Sequence, residues 1–162
     1  MTYLLDANVL ITAKRDHYRF ATFPCYWDYV LQRAGDGTLC SVDPVRQELI
    51  EKQDDLSQWV TDSCPDTMFE TPDGATGVAL TKLGIWTMAP ERPYSQAARA
   101  EFLGVADSVL VAHALAHEHT VVTHEKPAPQ AIHKIKIPDA CRALGVRCID
   151  PYRLLEEIGA RF

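Results

Sequence analysis

No stretch of this sequence approaches the roughly 20 consecutive apolar residues that a membrane-spanning helix needs. The start, Met1-Thr2-Tyr3-Leu4-Leu5-Asp6, has neither the basic flank nor the long apolar segment of a secretion signal. The CxxC pairs that mark small metal-binding or redox modules are missing too. The five cysteines (Cys25, Cys40, Cys64, Cys141, Cys148) are odd in number. Together these absences predict a cytoplasmic protein with reduced thiols and no membrane association. Positive charge is scarce: 16 Lys and Arg stand against 22 Asp and Glu, a net charge of −6. That balance argues against a general nucleic-acid coat, which needs a basic stripe. It leaves room for an enzyme whose acids are neutralised by metal. The basic residues that are present gather late, at Lys126, His133, Lys134, Lys136, Arg142 and Arg147. There is no repeat, low-complexity tract or linker, so residues 1–162 read as a single domain.

Apolar residues make up 47% of the chain, enough for a sizeable core. Tyr3-Leu4-Leu5 reads as a short buried strand ending at Asp6. Val9 to Lys14 and Pro24 to Arg33 read as helices, the second with Phe23, Trp27, Val30 and Leu31 on one face. Thr38 to Val42 is a strand. Asp43-Pro44 has the form of an N-cap followed by proline at the first helical position. Helical patterns follow from Val45 and again from Leu56, and Cys64 to Asp73 is a loop or irregular strand. Further helices are expected at Ala75–Met88, after Ser95, and from Val105 to His117. Thr120 to Thr123 is a β-branched strand, Ile135-Lys136-Ile137 another, Pro138 to Leu144 a helix, Val146 to Ile149 a strand and Tyr152 to Ile158 a last helix. Alternating strands and helices predict an α/β fold with three α/β/α layers and a mainly parallel central sheet.

In such sheets ligands bind beyond the carboxyl ends of the strands. Asp6 sits at one such end, with Asn8 two residues on to bond its carboxylate or the chain turn. Glu125 follows Val121-Val122-Thr123. Asp107 opens the most strongly patterned helix, where the helix dipole favours an acid. Glu48 lies in the first turns after Asp43-Pro44. Taken singly, each has a plain structural reading: Asp6 as a helix cap, Asp107 as a dipole-matched acid, Glu48 as a solvated face, Glu125 as a loop acid. Taken jointly, they recur where one crevice would collect them. Converging carboxylates repel one another, and a hard oxygen-seeking cation, Mg²⁺ or Mn²⁺, relieves that repulsion. Such an ion suits phosphodiester hydrolysis. Asn8, Thr123 and Lys126 are the expected substrate contacts.

The run Tyr3-Leu4-Leu5-Asp6-Ala7-Asn8-Val9-Leu10-Ile11 resembles the opening of PIN domains, whose first strand ends in a metal-binding Asp. Val45-Arg46-Gln47-Glu48-Leu49 is similar to their second motif. Ala106-Asp107-Ser108-Val109-Leu110 is similar to the third, and Val121-Val122-Thr123-His124-Glu125 to the fourth, a strand followed by Thr-x-acid. The resemblance implies a Mg²⁺- or Mn²⁺-dependent ribonuclease acting on RNA through Asp6, Glu48, Asp107 and Glu125. Such proteins are often the toxin of a toxin–antitoxin pair, with a protein antitoxin as partner, and frequently homodimers. Glu125 stands where Asp is usual, so the longer side chain reaches the metal directly or through water. The stretch from Leu56 to Tyr94 exceeds a minimal PIN domain, and its Trp59, Phe69, Trp86 and Tyr94 are either core or a substrate or partner surface. The ending Cys148-Ile149-Asp150-Pro151-Tyr152-Arg153-Leu154-Leu155 resembles a prokaryotic PIN-like branch.

Three rival readings exist. His113, His117 and His119 lie close in sequence, but HExxH is absent because Glu118 follows His117. They are read as surface histidines rather than the ligands of a Zn²⁺ hydrolase. A catalytically inactive PIN-like RNA-binding or regulatory module is the alternative that the acidic charge and Glu125 keep open. A haloacid-dehalogenase-like phosphatase would need a second Asp where Asn8 stands.

Overall fold

Leu4, Val121 and Val122 are fully buried, and this fixes which strands lie at the centre of the molecule. The computed structural model describes residues 1–162. Five parallel strands, β1 (Tyr3–Leu5), β2 (Leu39–Val42), β3 (Phe69–Glu70), β4 (Thr120–Val122) and β5 (Cys148–Ile149), form one sheet in the order β3-β2-β1-β4-β5. Central strands of a parallel sheet are covered on both faces, so continuous apolar runs such as Tyr3-Leu4-Leu5 are the expected sequence for them. Around the sheet lie α1 (Ala7–Thr12), α2 (Pro24–Gly35), α3 (Asp43–Glu51), α4 (Asp55–Asp62), α5 (Gly74–Met88), α6 (Gln96–Gly104), α7 (Ala106–His117), α8 (Ile137–Leu144) and α9 (Pro151–Glu157). The α/β architecture expected from the alternation is the one observed.

The chain steps outward from β1 to β2 and β3, then crosses back to place β4 on the other side of β1. The direction of winding therefore reverses between β1 and β4. At that point the loops leaving the strands splay apart and open a crevice at their carboxyl ends. Register aligns Leu5 with Val122, so the residues just past each strand emerge side by side. The Asp6 N–H donates to the Val122 carbonyl at 3.0 Å, which carries the pairing one residue beyond β1. Buried Ser41 donates to the Leu5 carbonyl at 2.6 Å and holds the same strand end from β2. Ser41→Ala leaves that carbonyl unsatisfied, and we expect a loss of about 1–2 kcal/mol in denaturant unfolding.

Four local expectations are corrected. Phe23 is 42% exposed, and α2 turns Tyr26, Trp27, Val30 and Ala34 inward instead. Asp43 does not cap α3: Val42 is the last extended residue, and the Asp43 carboxylate accepts from the Thr71 hydroxyl at 2.7 Å. Ile135-Lys136-Ile137 is not a strand; Ile137 is the first residue of α8, and both isoleucines are buried. The helix after β1 ends at Thr12 and continues as a π-helical turn over Ala13–His17. The stretch from Leu56 to Tyr94 supplies the rest of α4, the edge strand β3 and α5. Its Phe69 and Tyr94 are buried, and Trp59 and Trp86 pack against the core. Phe69 and Tyr94 are therefore core, and Trp59 and Trp86 lie half-buried at its edge. α5 starts from a reciprocal cap in which Asp73 accepts from Thr76 N–H at 2.9 Å.

Candidate functional site

Asp6 follows three buried strand residues and is itself only 6% exposed. It occupies the position before α1, yet its side chain makes no capping bond. Its Oδ2 instead accepts from the Thr123 hydroxyl at 2.8 Å, across the β1–β4 pair. The plain capping explanation for Asp6 is thereby removed. Burial raises the Asp6 carboxyl to about 7. The Thr123 bond opposes the rise, while Asp107, Glu125 and Glu48 add to it by repulsion. Asp107, in the first turn of α7, is pushed up to about 6, again chiefly by burial and then by Glu125 and Glu48, with Lys134 pulling the other way. The four predicted carboxylates thus lie close enough to share one electrostatic environment, although α3, α7 and the loops after β1 and β4 supply them separately. Glu48 stands on the exposed side of α3. Glu125 is half-buried, and its Oε2 accepts from the Ile137 N–H at the start of α8, at 2.7 Å. That bond fixes the carboxylate and uses one of its two oxygens.

Thr123 is the hub of this arrangement. Its hydroxyl donates to Asp6 and accepts from Asn8 Nδ2 at 3.2 Å and from the Glu125 N–H at 3.1 Å. A hydroxyl has one proton and two lone pairs, so its capacity is filled. Thr123 therefore supports Asp6 from behind, with its hydroxyl fully engaged within the protein. Asn8 likewise turns its Oδ1 to the His124 N–H at 3.2 Å. It bonds the chain turn, one of its two expected roles, and leaves the Asp6 carboxylate to Thr123. Lys126 is exposed and lines a groove with Thr123, Glu125, Asp150 and Arg153. His124 is pushed below its usual range by burial and by His17 nearby, so it is neutral at pH 7 and adds no cation there. Lys134 shares a smaller pocket with Asp107 and Glu101. Glu101 and Arg153 carried no signal in the sequence, since each reads as an ordinary charged residue on a helix.

Carboxylate oxygens dominate the donors at the crevice, with the half-buried Cys148 thiol lining the adjoining groove beside Glu125. Such an oxygen-rich set, with Asp6 raised to about 7 by burial first and by its acidic neighbours second, fits a hard divalent ion. The histidines lie elsewhere. His113 is buried rather than on the surface, and His117 and His119 are only partly exposed, which corrects the surface reading of all three. No helix is long and apolar enough to cross a membrane.

A family profile described as "Domain of unknown function (DUF4411)" matches residues 3–162. The chain belongs to the DUF4411 family. No curated protein matches it. Among solved structures, a chain from the crystal structure of VapBC2 from Rickettsia felis bound to a DNA fragment from their promoter aligns with this DUF4411 chain at a TM-score of 0.53. The identity is 15%, and the alignment covers 93% of this chain and 98% of that one. At that identity the likeness concerns the fold, which is PIN-like. The DUF4411 chain therefore carries its crowded carboxylates at the reversal point of a PIN-like sheet.

Proposed function

We propose that this protein is a divalent-metal-dependent endoribonuclease, one domain over residues 1–162, acting as the toxin of a toxin–antitoxin pair. The observation that supports the reading is the electrostatic influence of Glu48 and Glu125 on both Asp6 and Asp107, which adds to the rise that burial gives each of them. In this reading Asp6 and Asp107 hold Mg²⁺ or Mn²⁺ directly, and Glu48 and Glu125 complete the shell directly or through water. When bound, the ion supplies Lewis acidity toward a phosphate oxygen and lowers the pKa of water for in-line attack. The chain supplies the rest. Thr123 orients Asp6, Ile137 N–H orients Glu125, and Asn8 holds the loop after β4 that carries Thr123 and Glu125. Lys126 offers positive charge along the groove for the RNA backbone, beside Arg153, which is paired with Glu156 and Glu157. Val78 and Ile85, 61% and 69% exposed on α5, offer an apolar face to a protein antitoxin or to a second copy in a homodimer.

The test is RNA cleavage by purified protein over a panel of single-stranded and structured RNAs. Cleavage with Mn²⁺ or Mg²⁺ that stops on chelation supports the proposal. Binding without cleavage on every RNA supports the alternative, a catalytically inactive RNA-binding or regulatory module. The Glu125 oxygen committed to Ile137 favours that alternative, because it removes a ligand position.

The late lysines give a separate prediction. Phosphate contacts are independent of sequence and sensitive to salt. Changing Lys126, Lys134 and Lys136 together to Ala is expected to weaken RNA binding and to reduce the slope of log affinity against log salt by about 2–3. Melting should change little. Filter binding across a salt series checks this, and an unchanged slope would place the three in solvent only.

A further inference from the structure

The far end of α7, roughly 15 Å from Asp107 at about 1.5 Å per residue, carries a second cluster that the acidic crevice does not use. His113 and His117 are one helical turn apart, with ring centroids separated by 4.4 Å. Asp73, which caps α5, meets them from the neighbouring helix. A ligand-capable atom from each of these three residues lies within 4.8 Å of the other two. His117 Nε2 is shut off from solvent and makes no hydrogen bond, although Asp73 Oδ2 is only 3.1 Å away. A buried ring nitrogen left without a hydrogen bond is an uncommon arrangement for a protein that has no use for it. His113 is buried, with Nε2 at 2.7 Å from Glu70 Oε2 and Nδ1 at 2.7 Å from the Thr76 hydroxyl.

We propose that Asp73, His113 and His117 bind a borderline divalent transition ion of the Zn²⁺ class, at a site distinct from the acidic crevice. The donor set is two imidazoles and one carboxylate, which suits Zn²⁺ and its neighbours and not Mg²⁺. Histidine ligands characteristically donate their second ring N–H to a carboxylate, which fixes the tautomer. The Glu70 contact on His113 Nε2 is that support, and it leaves Nδ1 for the ion. Thr76 then gives up Nδ1 and keeps Asp73 Oδ1, already 2.8 Å from its hydroxyl. Asp73 is half-exposed, so an ion can enter from its side and keep a water as its fourth ligand. The ion would join the end of α7 to the start of α5. A neighbouring set, Cys40, Glu70 and His119, has ligand atoms within the same mutual distance. It is less suited: Glu70 is engaged by His113, and ionising the Cys40 thiol is opposed by burial and by Glu70.

Competition with a chromophoric chelator for Zn²⁺, in millimolar Mg²⁺, tests the site. The wild-type protein is expected to take one Zn²⁺ equivalent at micromolar concentration. His117→Ala and Asp73→Asn remove ligands themselves and should weaken it by at least about 100-fold, the upper end for losing only an outer-shell partner. Asn keeps an oxygen to cap α5, and His117 ends its helix, so both variants should retain the wild-type circular dichroism. Asp6→Asn should leave Zn²⁺ binding unchanged, which separates this site from the crevice. With Co²⁺ in place of Zn²⁺, the near-ultraviolet spectrum should lack a thiolate charge-transfer band, and Cys40→Ser should change nothing. No competition by wild type, or wild-type affinity in His117→Ala, overturns the proposal. A thiolate band abolished by Cys40→Ser overturns it as well, by moving the ion to the neighbouring set.

Discussion

Asp6→Asn and Asp107→Asn are each expected to lower metal-dependent RNA cleavage by about a thousandfold, equivalent to roughly 4 kcal/mol of transition-state stabilisation. Asn keeps the shape of the side chain and removes the charge that holds the cation. The two positions reach the crevice from different elements, Asp6 from the end of β1 and Asp107 from the first turn of α7. Two variants that fail alike while keeping wild-type circular dichroism would therefore point to a shared ion and not to local damage. Single-turnover cleavage in Mn²⁺ is the measurement. Variants as fast as wild type would remove Asp6 and Asp107 from the metal shell. Thr123→Val, which deletes the hydroxyl that orients Asp6, should fall between wild type and the Asp variants.

The same carboxylate makes metal-free stability depend on pH in an unusual direction. Asp6 rises from 3.8 to about 7 on folding, mainly by burial. The folded chain then holds the Asp6 proton more tightly than the unfolded chain does. Between pH about 4 and 7 the folded state binds more protons, so stability falls as pH rises through that window. The penalty is complete above about 7 and is on the order of 4 kcal/mol. Asp107, raised to about 6, acts in the same sense. Asp54 and Glu157, held near 2 by Lys14 and by Arg147, act in the opposite sense below about pH 4.5, and His119 and His124, lowered by burial, oppose the fall through smaller shifts below pH 6.5. The chelated protein is therefore expected to melt at a lower temperature at pH 8 than at pH 5. Asp6→Asn should flatten that curve and melt higher than wild type at pH 8. Millimolar Mn²⁺ should restore the wild type at pH 8 and act much less on the variant. A chelated wild type that melts higher at pH 8 than at pH 5 would contradict the raised carboxyls that burial and mutual repulsion give these acids.

The acids could be found from sequence because their positions follow from period and punctuation. A run of three apolar residues that stops at Asp6 marks a strand end, and Ala106-Asp107 before an apolar helix marks a helix start. What escaped was set by contacts between elements. Asp43-Pro44 looks like a cap, but the chain turns helical one residue earlier, and Thr71 from the β3 loop takes the carboxylate. Ile135 and Ile137 alternate as a strand would, yet both are buried because the segment leads into α8 beneath Glu125. The histidines were misread for a different reason. α7 has apolar residues on every side, so no polar face indicates which way His113 points. Only the position of α5 and β3 shows that it faces inward.

Thr123 bonds to Asp6 across 117 residues of sequence, and Glu125 is held by a residue further on still. A nascent chain lacks the hub of its crevice until β4 has left the ribosome, and lacks the fixed Glu125 until α8 has begun to form. Contacts so distant in sequence are among the last to be made. If the crevice cuts RNA, the protein is harmless to the message and the ribosome that produce it for most of its synthesis. Truncated products ending before Thr123 would lack both the hydroxyl that holds Asp6 and the Glu125 carboxylate.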